Sequence, residues 1–473
     1  MNYETVIGIE IHCELKTKSK MFSGSPVSYG QAPNTCTNEI DLGHPGTLPS
    51  LNKNAVKQAL KACIALNLEI DTLIRFDRKN YYYSDLPKGF QISQQFYPIG
   101  KAGYVDIETE QGQKRIRINR LHMEEDTAKQ YHVEDKTWID FNRAGIPLVE
   151  IVSEPDIRSA TEAQRYVEKL RTLLVYLEVT DGKMEEGSLR CDINISLRPI
   201  GTSTYGTKTE IKNLNSIANI EKAVKAEIIR QSALLDSGQA VQQATRRYDD
   251  KLETTVLMRQ KEGTVDYKYF PEPNIPPIRL TSEWIEEIRQ TLPELPDVRY
   301  QRYLSMGLNT YDTQQLILNK ALSDFFDRVA KQTTYTKILA NWCLSELLAI
   351  VDQKQLENHL INSEQFALFI NHIGQQTISS KQAKEILPFI IKGENYDAIV
   401  SRMNILQVSD NDTLVALILE VLNENAQSIL DYHAGKDKAL GFLMGQVMKK
   451  SKGQANPVLC NQILLEELSK RKA

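Results

Sequence analysis

The chain is poor in cysteine and tryptophan and has no long apolar run. Six cysteines are scattered through 473 residues, at Cys13, Cys36, Cys63, Cys191, Cys343 and Cys460. No two form a CxxC pair, so neither a disulfide framework nor a cysteine-ligated zinc is expected. No stretch approaches the ~18 apolar residues of a membrane span, so no membrane partner is expected. Met1 to Glu14 carries acids and lacks the apolar centre of a signal peptide, which makes a reducing cytoplasm the expected compartment. An excess of one charge is also missing. Lys and Arg number 57 against 61 Asp and Glu, a net charge of -4. A strongly basic nucleic-acid coat is thereby excluded, while a local basic patch is not. The phosphate loop GxxxxGK, the dinucleotide fingerprint and the GxSxG elbow are absent.

What is present is ordinary globular composition, 41% hydrophobic and 25% charged, enough chain for two to four domains. The part up to about residue 290 is rich in Gly, Pro and Tyr with short alternating runs, and the rest has long helical periods. Prolines at 271, 273, 276, 277, 293 and 296 mark the seam. Along Val6–Leu15, Ile7, Ile9, Ile11 and Cys13 alternate with Gly8, Glu10, His12 and Glu14. Period two buries the apolar set and lines three ionisable groups up on the opposite face. The run Arg190–Arg198 repeats the pattern, with Asp192 and Asn194 on its polar side, and Lys114–Leu121 reads as a third strand. Helical spacing falls on 54–68, 161–177 and 217–235. The expected fold class is α+β: a domain on an antiparallel sheet (1–292), an all-helical domain (293–400) and a small helical tail (401–473). Within the helical part, 338–351 reads as one helix and 393–409 as a connection. Trp138, Trp284 and Trp342 are read as core or interdomain packing.

The chemistry-bearing groups collect on the polar strand faces. Glu10 and His12 can point at one ion. Glu124, Glu125 and Asp126 are consecutive acids at a strand end, costly unless exposed or neutralised by a cation. Glu150 follows an apolar run, and Glu210 sits near Lys208. Hard oxygen ligands with one imidazole suit Mg2+, and such a cluster can hold a metal–nucleotide phosphate. A solvated acidic surface is the competing reading. Tyr81, Tyr82, Tyr83 and Phe90 with neighbouring glutamines offer either a stacking platform or a hydrophobic strand. From Lys436 to Gln454 there are five lysines and one acid, suited to phosphate-backbone contact or to plain solvation.

Several long blocks then carry a family resemblance. They include Val6-Ile7-Gly8-Ile9-Glu10-Ile11-His12, Phe76-Asp77-Arg78-Lys79-Asn80-Tyr81, Arg120-Leu121-His122-Met123-Glu124-Glu125-Asp126, Lys183-Met184-Glu185-Glu186-Gly187-Ser188-Leu189-Arg190-Cys191-Asp192 and Lys452-Gly453-Gln454-Ala455-Asn456-Pro457. Running nearly end to end, they resemble the B subunits of aspartyl/glutamyl-tRNA(Asn/Gln) amidotransferases. The resemblance implies a cradle-shaped catalytic domain, a helical domain and a tRNA-holding tail. It also implies binding of misacylated Glu-tRNA(Gln) or Asp-tRNA(Asn), with the side-chain carboxylate phosphorylated by Mg-ATP. A separate amidase subunit would supply ammonia, and a small linker subunit would complete a heterotrimer.

By that resemblance the metal positions fall on Glu10, His12, Glu124, Glu150 and Glu210, with Glu125, Asp192 and Asn194 as additional or supporting catalytic groups. Lys79, Arg190 and Lys208 are the candidate cofactor-binding neutralisers of the phosphates or of the carboxylate. Lys449, Lys450, Lys452 and Gly453 are the candidate tRNA contacts. Some family members carry cysteine pairs after the position of Pro33. Here only Cys36 is present, so no zinc is expected, and Mg2+ is the one metal implied. No amidase or glutaminase signature is visible, which favours one component of a complex over a self-contained enzyme. A tRNA-binding module without chemistry and a structural scaffold are the rival readings.

Overall fold

In the computed structural model, residues 3–260, 266–403, 411–451 and 455–471 are described. The alternating opening run forms strand β1 (Tyr3–Glu14), the middle of a mixed sheet. The strands that follow are β2 (Glu69–Ile70), β3 (Leu73–Ile74), β4 (Asp77–Asn80), β5 (Phe90–Ser93), β6 (Gly100–Thr109), β7 (Gly112–Glu125), β8 (Lys129–Val133) and β9 (Lys136–Asp140). After them come β10 (Pro147–Ser153), β11 (Leu189–Pro199), β12 (Thr209–Lys212), β13 (Ala244–Asp249), β14 (Thr254–Gln260), β15 (Phe270–Pro271) and β16 (Ile278–Arg279). The large sheet runs in the order β14-β13-β12-β11-β1-β10-β7-β6-β2. Its pairs are antiparallel except β12 with β13, which run parallel, so the sheet is mixed rather than purely antiparallel.

Helices α1 (Lys53–Ala65), α2 (Ala160–Tyr176) and α3 (Ile217–Asp236) join this sheet in one core. Ser159 caps α2, its hydroxyl accepting the Glu162 amide, and places Tyr166, Val167, Leu170 and Leu174 inward. These side chains pack with Ile7, Ile9, Ile11, Ile151 and Ile193 from the apolar sheet face. One face is thus closed by helices, and the polar groups of the same strands remain on the other.

The chain divides into two compact units, Met1–Pro296 and Asp297–Ala473. The second is helical among the described residues. Phe325, Phe326, Phe366, Phe369 and Ile386 form one core, and Leu414, Ile418, Leu443 and Leu464 form another in the tail helices. Three expectations change here. Tyr396–Met403 is a helix rather than part of a connection, because Tyr396, Ile399 and Val400 are buried in the larger core; residues 404–410 lie outside the described ones. The helix expected over 338–351 is an α-helical turn, Thr336–Asn341, that widens to a π-helix over Trp342–Leu347. Trp342 is buried and Trp284 packs on the first unit's core, but Trp138 is 61% exposed, because the β8–β9 hairpin pairs only with itself. No helix among the described residues is long and apolar enough to cross a membrane.

Candidate functional site

Strand register assembles the site. His12 on β1 lies opposite Glu150 on β10 and Arg190 on β11, and Glu150 in turn lies opposite His122 on β7. Arg190, His12, Glu150 and His122 therefore form one row across four strands, with facing Cβ atoms about 5 Å apart. Glu10 faces Asp192 in the next row, and Glu124 lies two residues beyond His122. The side chains close on one another. His12 Nδ1 is 3.2 Å from Glu124 Oε1 and 3.8 Å from Glu150 Oε2. His122 Nε2 is 3.2 Å from Glu150 Oε2 and 3.7 Å from Glu124 Oε2.

The charges explain the titration. Burial alone would lower both imidazoles. At His12 the hydrogen bond to Glu124 and the charge of Glu150 outweigh it, and the pKa rises. At His122 the charge of Glu150 and bonds to both carboxylates lift it to about 9. Burial would raise Glu124 and Glu150, yet the two imidazoles hold both below the usual carboxylate value. Glu10 goes the other way, raised by burial and by the charges of Glu150 and Asp192. Burial would lower Lys212, but Asp192 at 2.6 Å and Glu210 at 3.3 Å raise it.

Two sets of donor atoms converge, Glu10, His12 and Asp192, and His12, Glu124 and Glu150, each within 4.8 Å of one another. Carboxylate oxygens with an imidazole nitrogen are the donors a hard divalent cation such as Mg2+ accepts. The groups line a cavity of about 880 Å3 whose wall also carries Lys79, Arg120, Arg190, Tyr267 and Tyr269. Acidic and cationic side chains thus share one half-open cavity, a donor set that a metal–phosphate ligand would fit.

Comparison with known proteins decides the family. A family model described as the GatB/GatE catalytic domain matches residues 5–286, and one described as the GatB domain matches residues 324–468. The B subunit of the aspartyl/glutamyl-tRNA(Asn/Gln) amidotransferase of Bacillus mycoides (strain KBAB4) is 51% identical over 475 residues, with 100% of both chains covered. The proteins of the same name from Bacillus cereus (strain G9842) and Bacillus thuringiensis subsp. konkukian (strain 97-27) are each 50% identical, again with 100% of both chains covered. The chain belongs to the GatB family.

This GatB-family chain, an amidotransferase subunit, brings most of the expected residues together. Glu10, His12, Glu124, Glu150, Asp192, Glu210, Lys79 and Arg190 all line the large cavity. The Lys79 ammonium is 5.0 Å from the Tyr267 ring centroid, and Arg190 donates to Asp126 at 2.9 Å. Thr245 donates to Glu210 at 2.9 Å. Asn194 donates to Glu10 at 3.0 Å and so orients that carboxylate. With Lys208, Asn194 lines an adjoining depression rather than the large cavity. Glu125 has the opposite strand parity from Glu124: it accepts from the Ile92 amide at 2.9 Å and pairs with Lys88. The run Glu124–Asp126 is buried, not solvated. Tyr81 lines the cavity, whereas Tyr82 and Tyr83 are exposed in the turn after β4.

In the tail, Lys449 is exposed and Lys450 is held by Glu420 at 2.7 Å and Glu424 at 2.6 Å. Lys452 and Gly453 lie outside the described residues. The sequence reading misses His122 and Lys212. His122 stands two residues from Glu124, the same spacing that singles out Glu10 and His12. Lys212 stands two from Glu210 on the same strand face.

Proposed function

We propose that this chain activates the side-chain carboxylate of a misacylated tRNA, Glu-tRNA(Gln) or Asp-tRNA(Asn), using ATP, so that ammonia can convert it to the amide. The observation that carries the proposal is the partly buried cluster of His12, Glu124 and Glu150 with Glu10 and Asp192 beside Arg190 and Lys212 in one cavity. The chemistry asks for that combination. A carboxylate is a poor electrophile until one oxygen is made a leaving group. The carboxylate oxygen attacks the γ-phosphorus, the β–γ P–O bond breaks and ADP departs. Ammonia then forms the C–N bond, inorganic phosphate leaves and the nitrogen sheds a proton.

Glu10, His12, Glu124, Glu150 and Glu210 would hold Mg2+, which when bound neutralises and orients the anionic triphosphate beside the anionic carboxylate. Arg190, Lys79 and Lys212 supply fixed positive charge along the same wall. Asn194 holds the Glu10 carboxylate in place. The activated carboxyl must be kept from water until ammonia arrives, which substrate seated in the half-open cavity would do.

In this reading residues 1–292 are the catalytic cradle, 293–400 the helical domain and 401–473 the tRNA-holding tail, with Lys449 one of its exposed cations. The partners are an amidase subunit that releases ammonia from glutamine and a small linker subunit. Together the three chains form a heterotrimer working in the cytoplasm. The test uses the purified heterotrimer with Glu-tRNA(Gln), Mg2+, ATP and ammonium chloride, without glutamine. Glu10→Ala and Glu150→Ala are expected to abolish Gln-tRNA formation while tRNA binding persists. Full activity in both would return the chain to a tRNA-binding role with the chemistry elsewhere.

A further inference from the structure

Strand β7 changes face part-way along. Ile116 and Ile118 point into the core, and so do Leu121 and Met123, which breaks the period of two. The register explains the break. Arg120 pairs with Lys101 and Ile118 with Gly103, so Asn119 and Ala102 form an irregular step, and Ala102 takes φ 51°. The β10 register shifts at the same level, between Val152 and Ser153. A bulge of this kind re-aims side chains next to a site. Here it turns Arg115 and Arg117 to the same side as Arg120, His122 and Glu124. One polar stripe therefore runs from a group of cations into the carboxylate cluster, with Arg120 about 13 Å along the strand from Glu124.

The cationic end of the stripe is a separate depression of about 540 Å3, lined by Lys101, Arg115, Arg117 and Arg120 against one acid, Glu154. Arg120 and Gln95 belong to its wall and to that of the large cavity, and Arg120 donates to the Gln95 carbonyl at 3.2 Å. Two of the cations are braced. Arg115 makes a two-bonded pair with Asp106 at 2.9 and 3.0 Å and lies 3.6 Å from the Tyr104 ring centroid, and Arg117 is bonded to Asp156 at 2.9 and 2.7 Å. Lys101 is exposed and makes no ion pair among the described residues. Phe96, 53% exposed, also lines the depression and stands edge to face on Tyr269, a wall residue of the large cavity.

We propose that this depression is the entry path for the single-stranded 3′ end of the aminoacyl-RNA, with Lys101, Arg117 and Arg120 on its phosphates and Phe96 stacked on a base. The inference rests on the activation reading above, because it places the aminoacyl end of the strand at the carboxylate cluster. Phosphates recur at every nucleotide, so a strand needs a row of cations rather than one. An unpaired base needs an exposed ring, and the depression supplies both. A mononucleotide would use the cluster alone and would leave Lys101 and Phe96 without a role.

The experiment compares Lys101→Glu, Phe96→Ala and Glu150→Gln in the intact heterotrimer, with Lys222→Glu on α3 as a charge-matched control. KM is measured separately for aminoacyl-tRNA and for ATP over a salt series, with ammonium chloride as nitrogen donor. Lys101→Glu is expected to raise KM for the RNA severalfold, leave KM for ATP unchanged and flatten the log–log salt slope by about 0.7 or more. Phe96→Ala is expected to raise the same KM without changing the slope, since stacking releases no counterions. Unchanged RNA KM in both variants, or the same rise in Lys222→Glu, overturns the entry path. So does loss of a partner chain from the complex in Lys101→Glu, which would make the face a protein interface. Glu150→Gln separates the two readings: amidation lost there but normal in the other two rejects the path and keeps the activation. Amidation retained in Glu150→Gln rejects the activation itself.

Discussion

Glu10→Gln should make the cation-free protein more stable and at the same time remove its response to Mg2+. The Glu10 carboxyl binds its proton more tightly in the folded chain than its ordinary value of 4.5 allows, because burial and then Glu150 and Asp192 oppose its charge. A group raised in this way gives its full contribution below pH 4.5 and loses it as pH rises through the folded value. At pH 7 in chelator the wild type therefore carries an ionised, opposed carboxylate. Glutamine keeps the oxygen that accepts from Asn194 at 3.0 Å and removes the charge. A bound cation reverses the ranking. At a concentration 100 times its dissociation constant it stabilises the folded wild type by about 2.7 kcal/mol, roughly 4 °C for a unit of this size. The assay is thermal unfolding of the first unit's signal at pH 5 and pH 7, in EDTA and in Mg2+. The variant should melt higher than wild type in EDTA at pH 7, show a smaller difference at pH 5 and shift little with Mg2+. If it melts lower in EDTA and gains as much from Mg2+ as wild type, Glu10 is neither opposed nor part of a cation site.

Other parts of the chain give further tests. Lys20 and Asp41 form a fully enclosed pair at 3.2 Å, and Ser23 also donates to Asp41. Asp41→Ala should therefore destabilise by about 3–5 kcal/mol in urea, with a smaller loss in the double Lys20→Met, Asp41→Asn chain. Burial would raise the Glu227 carboxyl, but hydrogen bonds from Arg230, Gln231 and Thr255 outweigh it and hold it below its ordinary value. Its contribution is present above that value and lost as pH falls through the folded one, so Glu227→Gln should flatten the acid limb of the stability profile. His122 Nε2 forms ion pairs with Glu150 at 3.2 Å and Glu124 at 3.7 Å. His122→Asn should raise the Mg2+ concentration for half-maximal amidation about 10–100-fold, and an unchanged requirement would leave His122 a packing residue.

Much of the site is legible because a strand with one covered face reports its side chains directly. The alternation at Glu10 and His12 names the polar face of β1, and Asp192 and Asn194 name that of β11. What alternation cannot give is register, which alone sets Arg190, His12, Glu150 and His122 in a row. His122 is hidden between Leu121 and Met123, where the run reads as apolar. The face change at Asn119 is hidden for a related reason: a bulge is a backbone event shared by two strands, and neither Asn119 nor Ala102 is a residue type that announces one. Glu125 shows the cost of reading a charge run as a unit, since neighbouring residues on a strand face opposite ways. In the helical part, Tyr396–Met403 reads as a connection because Gly393 and Asn395 precede it; its burial comes from the neighbouring core.

The central claim is that the carboxylate is phosphorylated at this cluster, and isotope transfer tests it most directly. Glu-tRNA(Gln) carrying 18O in the glutamyl side-chain carboxylate is given to the heterotrimer with ATP, Mg2+ and ammonium chloride, and the inorganic phosphate released is analysed by mass. The account predicts one 18O in phosphate for each Gln-tRNA formed with wild type, and neither product with Glu150→Gln. Unlabelled phosphate accompanying normal Gln-tRNA formation, or undiminished transfer in Glu150→Gln, would contradict it.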